Sequence, residues 1–69
     1  MTTPNAQARL LMSRAHAYEI SAAKEETLAK YMHGKAYDQA VAYVNEQRQL
    51  AAELRAEAQQ IQRGGLRDA

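Results

Sequence analysis

The sequence predicts an all-α fold, an antiparallel two-helix hairpin of coiled-coil type that dimerises into a four-helix bundle. Three observations predict it. Proline and glycine occur only at Pro4, at Gly34 and at Gly64-Gly65 in this 69-residue chain. The two stretches between them are rich in Ala, Glu, Gln, Lys, Arg and Leu, which favour helices. Both stretches also place apolar residues at alternating spacings of three and four, as the seam of a coiled coil requires.

Composition limits the chain to one small domain over residues 1–69. The length lies below the about 100–150 residues of a typical domain. There is no cysteine, which excludes disulfides and thiol chemistry. Nine Lys and Arg against eight Asp and Glu leave a net charge of +1, without the basic excess of a dedicated nucleic-acid binder. Much of the apolar fraction is alanine, so the predicted core is thin.

Capping signals set the bounds of the two helices. Thr3-Pro4 is typical of a helix start, because the Thr hydroxyl caps the first turn and the proline needs no hydrogen-bond partner there. Gly34 is placed to adopt the left-handed conformation that ends many helices. We therefore expect a helix over about 4–33, a turn at 34–35, a second helix over about 36–63 and a frayed tail over 64–69.

The heptad pattern predicts which residues meet between the helices. In the first stretch the seam positions are Ala8, Leu11, Ala15, Tyr18, Ala22, Glu25, Ala29 and Met32. In the second they are Tyr37, Ala40, Val44, Gln47, Ala51, Leu54, Ala58 and Ile61. Folding back at Gly34 sets Leu11 opposite Ala58 and Ala8 opposite Ile61, so that large side chains face small ones.

Charged and polar residues are expected to pair across the same hairpin. Exposed ion pairs contribute only about 0.2–1 kcal/mol each, so they select the orientation of the helices more than they stabilise it. A polar pair inside the seam would fix its register. The expected pairs are Glu19 and Glu26 with Arg48 and Arg55, Arg14 with Glu57, and Glu25 with Gln47.

A second apolar stripe lies beside the seam of the first helix, and two residues of the second helix project to the same side. A hairpin has one interface, so these residues would face water, and large exposed apolar patches are rare on monomers. We expect them to form the face of a homodimer, with capture of another protein as the alternative. The face consists of Leu10, Ala17, Ile20, Leu28, Tyr31, Tyr43 and Leu50.

The sequence contains no recognisable catalytic motif. It has no nucleophile motif and no glycine-rich phosphate loop, so we expect neither an enzyme nor a cofactor. His16 and Glu19 have a spacing that some metal sites use, but they lie on the polar side of the helix, so we expect no metal. No secretory signal and no apolar run near the about 20 residues of a membrane span is evident. We therefore expect a cytoplasmic protein.

The sequence favours a small, non-catalytic interaction or regulatory protein, of the adaptor or inhibitor type, that acts through the apolar helical face. The alternative function is binding of RNA or DNA. Arg48 and Arg55 lie two turns apart on one face, and Arg63 and Arg67 extend a basic end. In size, turn position and heptad layout the chain resembles the Rop family of short helical hairpins. That resemblance implies a dimeric four-helix bundle that binds paired RNA loops. The expected ion pairs with Glu19 and Glu26 would leave less charge for phosphates, so this alternative is not favoured.

Overall fold

The chain folds into two helices joined by a short turn. The structure, a computed structural model, describes residues 3–67, with side chains described as far as Gly64. Helix α1 spans Pro4–Ala29 and helix α2 spans Lys35–Arg67. They pack along their length into a hairpin that measures 53 × 15 × 14 Å. The predicted all-α hairpin is confirmed.

The start of α1 follows the predicted cap. The hydroxyl Oγ1 of Thr3 accepts a hydrogen bond of 3.1 Å from the backbone N–H of Ala6. The carbonyl of Thr3 accepts a second bond, of 2.9 Å, from the N–H of Gln7. Pro4 occupies the first turn, where the absence of its N–H leaves no gap in the hydrogen-bond ladder.

The end of α1 differs from the expected bound at position 33. The α-helix stops at Ala29. The N–H groups of Tyr31 and Met32 then donate to the carbonyls of Leu28 and Ala29, at 3.1 and 3.0 Å. These bonds span three residues instead of four, so the chain tightens out of the α-helix before it turns.

Gly34 adopts the predicted left-handed conformation, but in a different place relative to the helices. Its φ is +64°, which most L-amino acids avoid. Its carbonyl accepts a 3.1 Å hydrogen bond from the N–H of Asp38. Gly34 is therefore the residue from which α2 begins, and α1 has already ended several residues earlier.

The second helix continues beyond the glycine pair expected to end it. Helix α2 runs through Gly64 and Gly65 to Arg67, and Gly64 has no positive φ. Glycine in a helix costs about 1 kcal/mol relative to alanine, yet it keeps its N–H and carbonyl, so the hydrogen-bond ladder continues. The rest of the expected tail, residues 68–69, lies outside the described residues.

The core is the predicted seam. Leu11, Ala8 and Ala58 form one buried cluster, with Leu54 and Ile61 packed against it. This cluster contains the predicted Leu11–Ala58 and Ala8–Ile61 layers. All the buried apolar residues stand at predicted seam positions, and most are alanines: Ala8, Leu11, Ala15, Ala22, Ala29, Ala40, Val44, Ala51 and Ala58.

Two features of the seam depart from expectation. No hydrogen bond joins Glu25 to Gln47; both are half-buried and keep access to water, so the expected polar pair is wrong. Tyr37 is exposed rather than buried. Its predicted neighbour across the seam is Met32, which lies beyond the end of α1 and no longer presents a helical face to it.

The two described glycines give a matched test of this backbone. We expect Gly34→Ala to destabilise the protein by about 1–2 kcal/mol, because its Cβ would be strained at a positive φ. We expect Gly64→Ala to stabilise it by up to about 1 kcal/mol, because this glycine is helical. A Cβ would meet nothing within 4 Å at either position, so packing does not obscure the comparison. Urea denaturation measures both changes, and effects of equal sign would contradict this account.

Candidate functional site

The two long sides of the hairpin, on either side of the seam, differ in chemistry. On one side, called here the ion-pair side, a guanidinium nitrogen of Arg48 lies 2.7 Å from a carboxylate oxygen of Glu26. Arg55 binds both carboxylate oxygens of Glu19, with Nε donating to Oε2 at 3.3 Å and Nη2 donating to Oε1. These pairs confirm the predicted charge matching and the antiparallel orientation of α1 and α2.

The Arg55 contact changes the acidity of Glu19. The hydrogen bond from the guanidinium lowers the pKa of the Glu19 carboxyl below its usual value, and the positive charge of Arg55 acts in the same direction. Charge-assisted bidentate contacts of this kind favour the ionised carboxylate. Glu19 is therefore held in the charged form that the ion pair needs.

The expected pair between Arg14 and Glu57 does not form. Within the described part of the chain, the ion pairs closer than 4 Å are those of Arg48 and Arg55. Arg14 instead lines a hollow on the opposite side of the hairpin. Ion pairing is thus confined to one side, and the other side is held by no charged contact between the helices.

That other side, called here the apolar side, carries the residues predicted as an interaction face. Leu10 and Leu28 are 51% and 54% exposed, and Tyr31 is 80% exposed. The remaining members are exposed except for Leu50, which is half-buried: Ala17, Ile20, Tyr43 and Leu50. The hairpin thus leaves several of its larger apolar side chains in water, while alanines make up most of its core.

Helix α1 is the source of this surplus. Its apolar residues are spread around the helix with almost no preferred direction, whereas those of α2 are concentrated on one face. A helix that is apolar on several sides is typical of one with more than one packing partner. Helix α2 covers only the seam of α1, so α1 retains an apolar surface of its own.

A shallow hollow of about 490 Å³ opens near the middle of the apolar side. It brings together Ala17 and Tyr43, two members of the predicted face that come from different helices. Of its other walls, Tyr18 and Gln47 stand at predicted seam positions, and Ser21 lies one heptad before Leu28 and so shares its stripe. The residues that line it are Arg14, Ala17, Tyr18, Ser21, Tyr43 and Gln47.

A second hollow, of about 360 Å³, lies near the turn on the ion-pair side. Its lining includes Tyr37 and Val41 of α2 together with Lys30, just after α1. Glu26 and Arg48 also line it, and they neutralise each other through their ion pair. The heptad pattern does not predict this hollow, because the hollow depends on the early end of α1.

The arginines proposed for nucleic-acid contact differ in their surroundings. Arg48 and Arg55 are each paired with a carboxylate. Arg63 is exposed near the end of α2, and the side chain of Arg67 lies outside the described residues. Phosphate binding at Arg48 or Arg55 would have to break an existing ion pair.

Among the described residues, no group of three or more His, Asp or Glu side chains is arranged to hold a metal ion. Neither helix, over its described length, has the apolar stretch needed to cross a bilayer.

Comparison with known proteins gives no relative. No protein family, curated protein or solved structure matches the chain. The candidate site is therefore defined by its own geometry, which is an apolar side on a hairpin whose opposite side is closed by ion pairs.

The Arg55–Glu19 contact predicts a pH dependence. Because the folded pKa of Glu19 is lowered, its contribution to stability is present above the unfolded pKa of about 4.3 and is lost as the pH falls through the folded pKa. We expect Glu19→Gln to lower the melting temperature at pH 7 and to change it little at pH 2. In an Arg55→Gln background the same substitution should have little effect at either pH. A persistent effect in that background would contradict the assignment.

Proposed function

We propose that this chain is a small, non-catalytic protein-interaction and regulatory module that self-associates through its apolar side. One observation carries the proposal. Leu10, Ile20 and Leu28 are exposed on α1, a helix whose opposite face already forms the core, and Tyr31 is exposed in the turn just after it. Contiguous apolar surfaces of this kind are typical of interaction sites.

The thin core supports the same proposal. The buried residues are mainly alanines, which remove little apolar area from water when they pack. Chains of this size bury a small fraction of their surface and are marginally stable alone. Burying the apolar side against a partner would add the stabilisation that the seam lacks, so binding and folding would be coupled.

A module of this type acts by occupying a surface, as an adaptor or an inhibitor does. The self-associated form would leave the ion-pair side of each hairpin open, because the apolar side alone is covered. A different protein could use either side, and an amphipathic helix is the natural ligand of the apolar one. Self-association is preferred because closed homodimers are the commonest oligomers.

Introducing a charge on the apolar side tests the proposal. We expect Leu28→Glu, and independently Ile20→Glu, to weaken self-association at least about 100-fold, because a two-fold dimer loses two buried side chains and gains two buried charges. Helicity should fall with the loss of assembly. Light scattering after size-exclusion chromatography gives the mass against the 7.7 kDa of one chain, and circular dichroism gives the helicity.

Met12→Glu is the matched control. Met12 is exposed on α1 and does not belong to the apolar side, so this variant should keep the assembly of the parent chain. Unchanged mass and helicity in Leu28→Glu and Ile20→Glu would contradict the proposal. So would a parent chain that is a stable monomer with no binding partner.

A gel-retardation assay distinguishes RNA or DNA binding from the proposed protein-interaction function. Our proposal predicts no retarded band at about 0.15 M salt, since Arg48 and Arg55 are paired with carboxylates. A band that weakens steeply as salt rises, and that is lost in Arg48→Gln, would favour the nucleic-acid alternative.

A further inference from the structure

We infer that the apolar side binds a second copy of this chain with α1 packed antiparallel against α1 of that copy, and with the two-fold axis beside Ile20. The inference rests on the proposed self-association and specifies its register. It follows from the order of side chains along α1, from the chemistry of the neighbouring surface of α2 and from the dimensions of the hairpin.

The exposed stripe of α1 matches itself when it is reversed. Leu10 lies toward one end of α1, Leu28 lies toward the other end with Tyr31 in the turn just beyond it, and Ile20 lies about midway between Leu10 and Leu28. A two-fold axis beside Ile20 therefore sets Leu10 of one copy against Leu28 and Tyr31 of the other. The same axis brings the two Ile20 side chains together, so all the large exposed residues of the stripe find apolar neighbours.

Lys24 lies seven residues after Ala17, within the stripe of α1, and this pair obeys the same symmetry. Ala17 and Lys24 lie at equal distances on either side of the axis, so each alanine faces the lysine of the other copy. The alanine leaves room for the aliphatic stem of the lysine, and the ammonium group can reach water at the edge of the contact. Ser21, beside the axis, is also small enough for the two helices to approach closely.

Helix α2 is a poor surface for the stripe. The side of α2 that carries Tyr43 and Leu50 also carries a row of polar, exposed residues at seven-residue spacing: Gln39, Glu46, Glu53 and Gln60. Packing α1 against α2 of a second copy would press Leu10 and Tyr31 onto amides and carboxylates. Desolvating those groups without partners is unfavourable.

The dimensions of the hairpin suit a two-fold contact. The apolar side measures 53 by 15 Å, so a contact over its whole extent would cover at most roughly 800 Å², which is about what each partner buries in a stable interface of standard size. The 490 Å³ hollow around Ala17 and Tyr43 lies at the level of the axis. In the antiparallel arrangement, Leu28 of the second copy reaches the level of Arg14 and fills one end of that hollow.

The charges beside the contact predict how salt affects the affinity of the dimer. Arg14 of one copy comes near Lys24 of the other, so like charges meet beside the contact. Packing of α1 against α2 would instead bring Lys24 near Glu46. The dimer inferred here should therefore tighten as salt rises, because salt screens the repulsion. It should also bind about 2- to 10-fold more tightly in Lys24→Glu than in the matched Lys24→Gln.

Spin-label distances test the register directly. The chain has no cysteine, so Arg9→Cys and Ala23→Cys each accept one nitroxide, at exposed positions outside the apolar side. From the helical rise, we expect the two labels of a dimer to be about 40 Å apart at position 9 and about 20 Å apart at position 23. Dipolar electron resonance on the intact dimer measures both distances.

The outcomes separate the two proposals. Nearly equal distances at positions 9 and 23 would mean that α1 packs against α2 of the second copy. That result would overturn the register and leave self-association intact. A parent chain that stays monomeric in light scattering would overturn both. A long distance at position 9, a short one at position 23 and tightening by salt together support the inference.

Discussion

The alanine-lined contact between α1 and α2 is the constraint on which the rest of the structure depends. Alanine has only a methyl group, so a seam built from it lets two helices approach closely while burying little apolar area. Residues with larger apolar side chains, such as Leu10, Leu28 and Tyr31, lie outside this contact. The hairpin is thus a thin unit whose stabilising apolar surface remains available for a further contact.

The two sides of the seam have different roles. The ion-pair side favours the antiparallel orientation of the helices, and the apolar side is available for contact with a partner. On the ion-pair side, Glu19 and Glu26 meet Arg55 and Arg48. Exposed pairs contribute little free energy, yet they match only in the antiparallel alignment. Among the residues whose side chains the structure describes, no charged contact joins the helices on the apolar side, and Arg14 lines a hollow there instead. Assembly through this side would therefore leave the alignment of each hairpin undisturbed.

The same division affects the choice between interaction partners. A nucleic acid needs cations that are free to neutralise phosphates, whereas Arg48 and Arg55 already serve the hairpin. An apolar partner needs an exposed apolar surface, and the stripe of α1 provides one. The stripe also has the symmetry of a self-interaction, because its large residues recur at matching distances from Ile20. Stability and recognition would then come from one surface.

Local sequence signals determined much of this protein. The cap at Thr3, the left-handed Gly34, the alanine seam and the two ion pairs depend on neighbouring residues and on a fixed heptad spacing, and all were predictable. Tertiary structure alone decided where α1 ends, whether Gly64 and Gly65 interrupt α2, and whether Arg14 meets Glu57. These outcomes depend on small differences in free energy between alternative hydrogen-bond patterns and rotamers. The hollow beside Ala17 and Tyr43 has the same origin, since it exists only once both helices are in place and no sequence spacing encodes its depth.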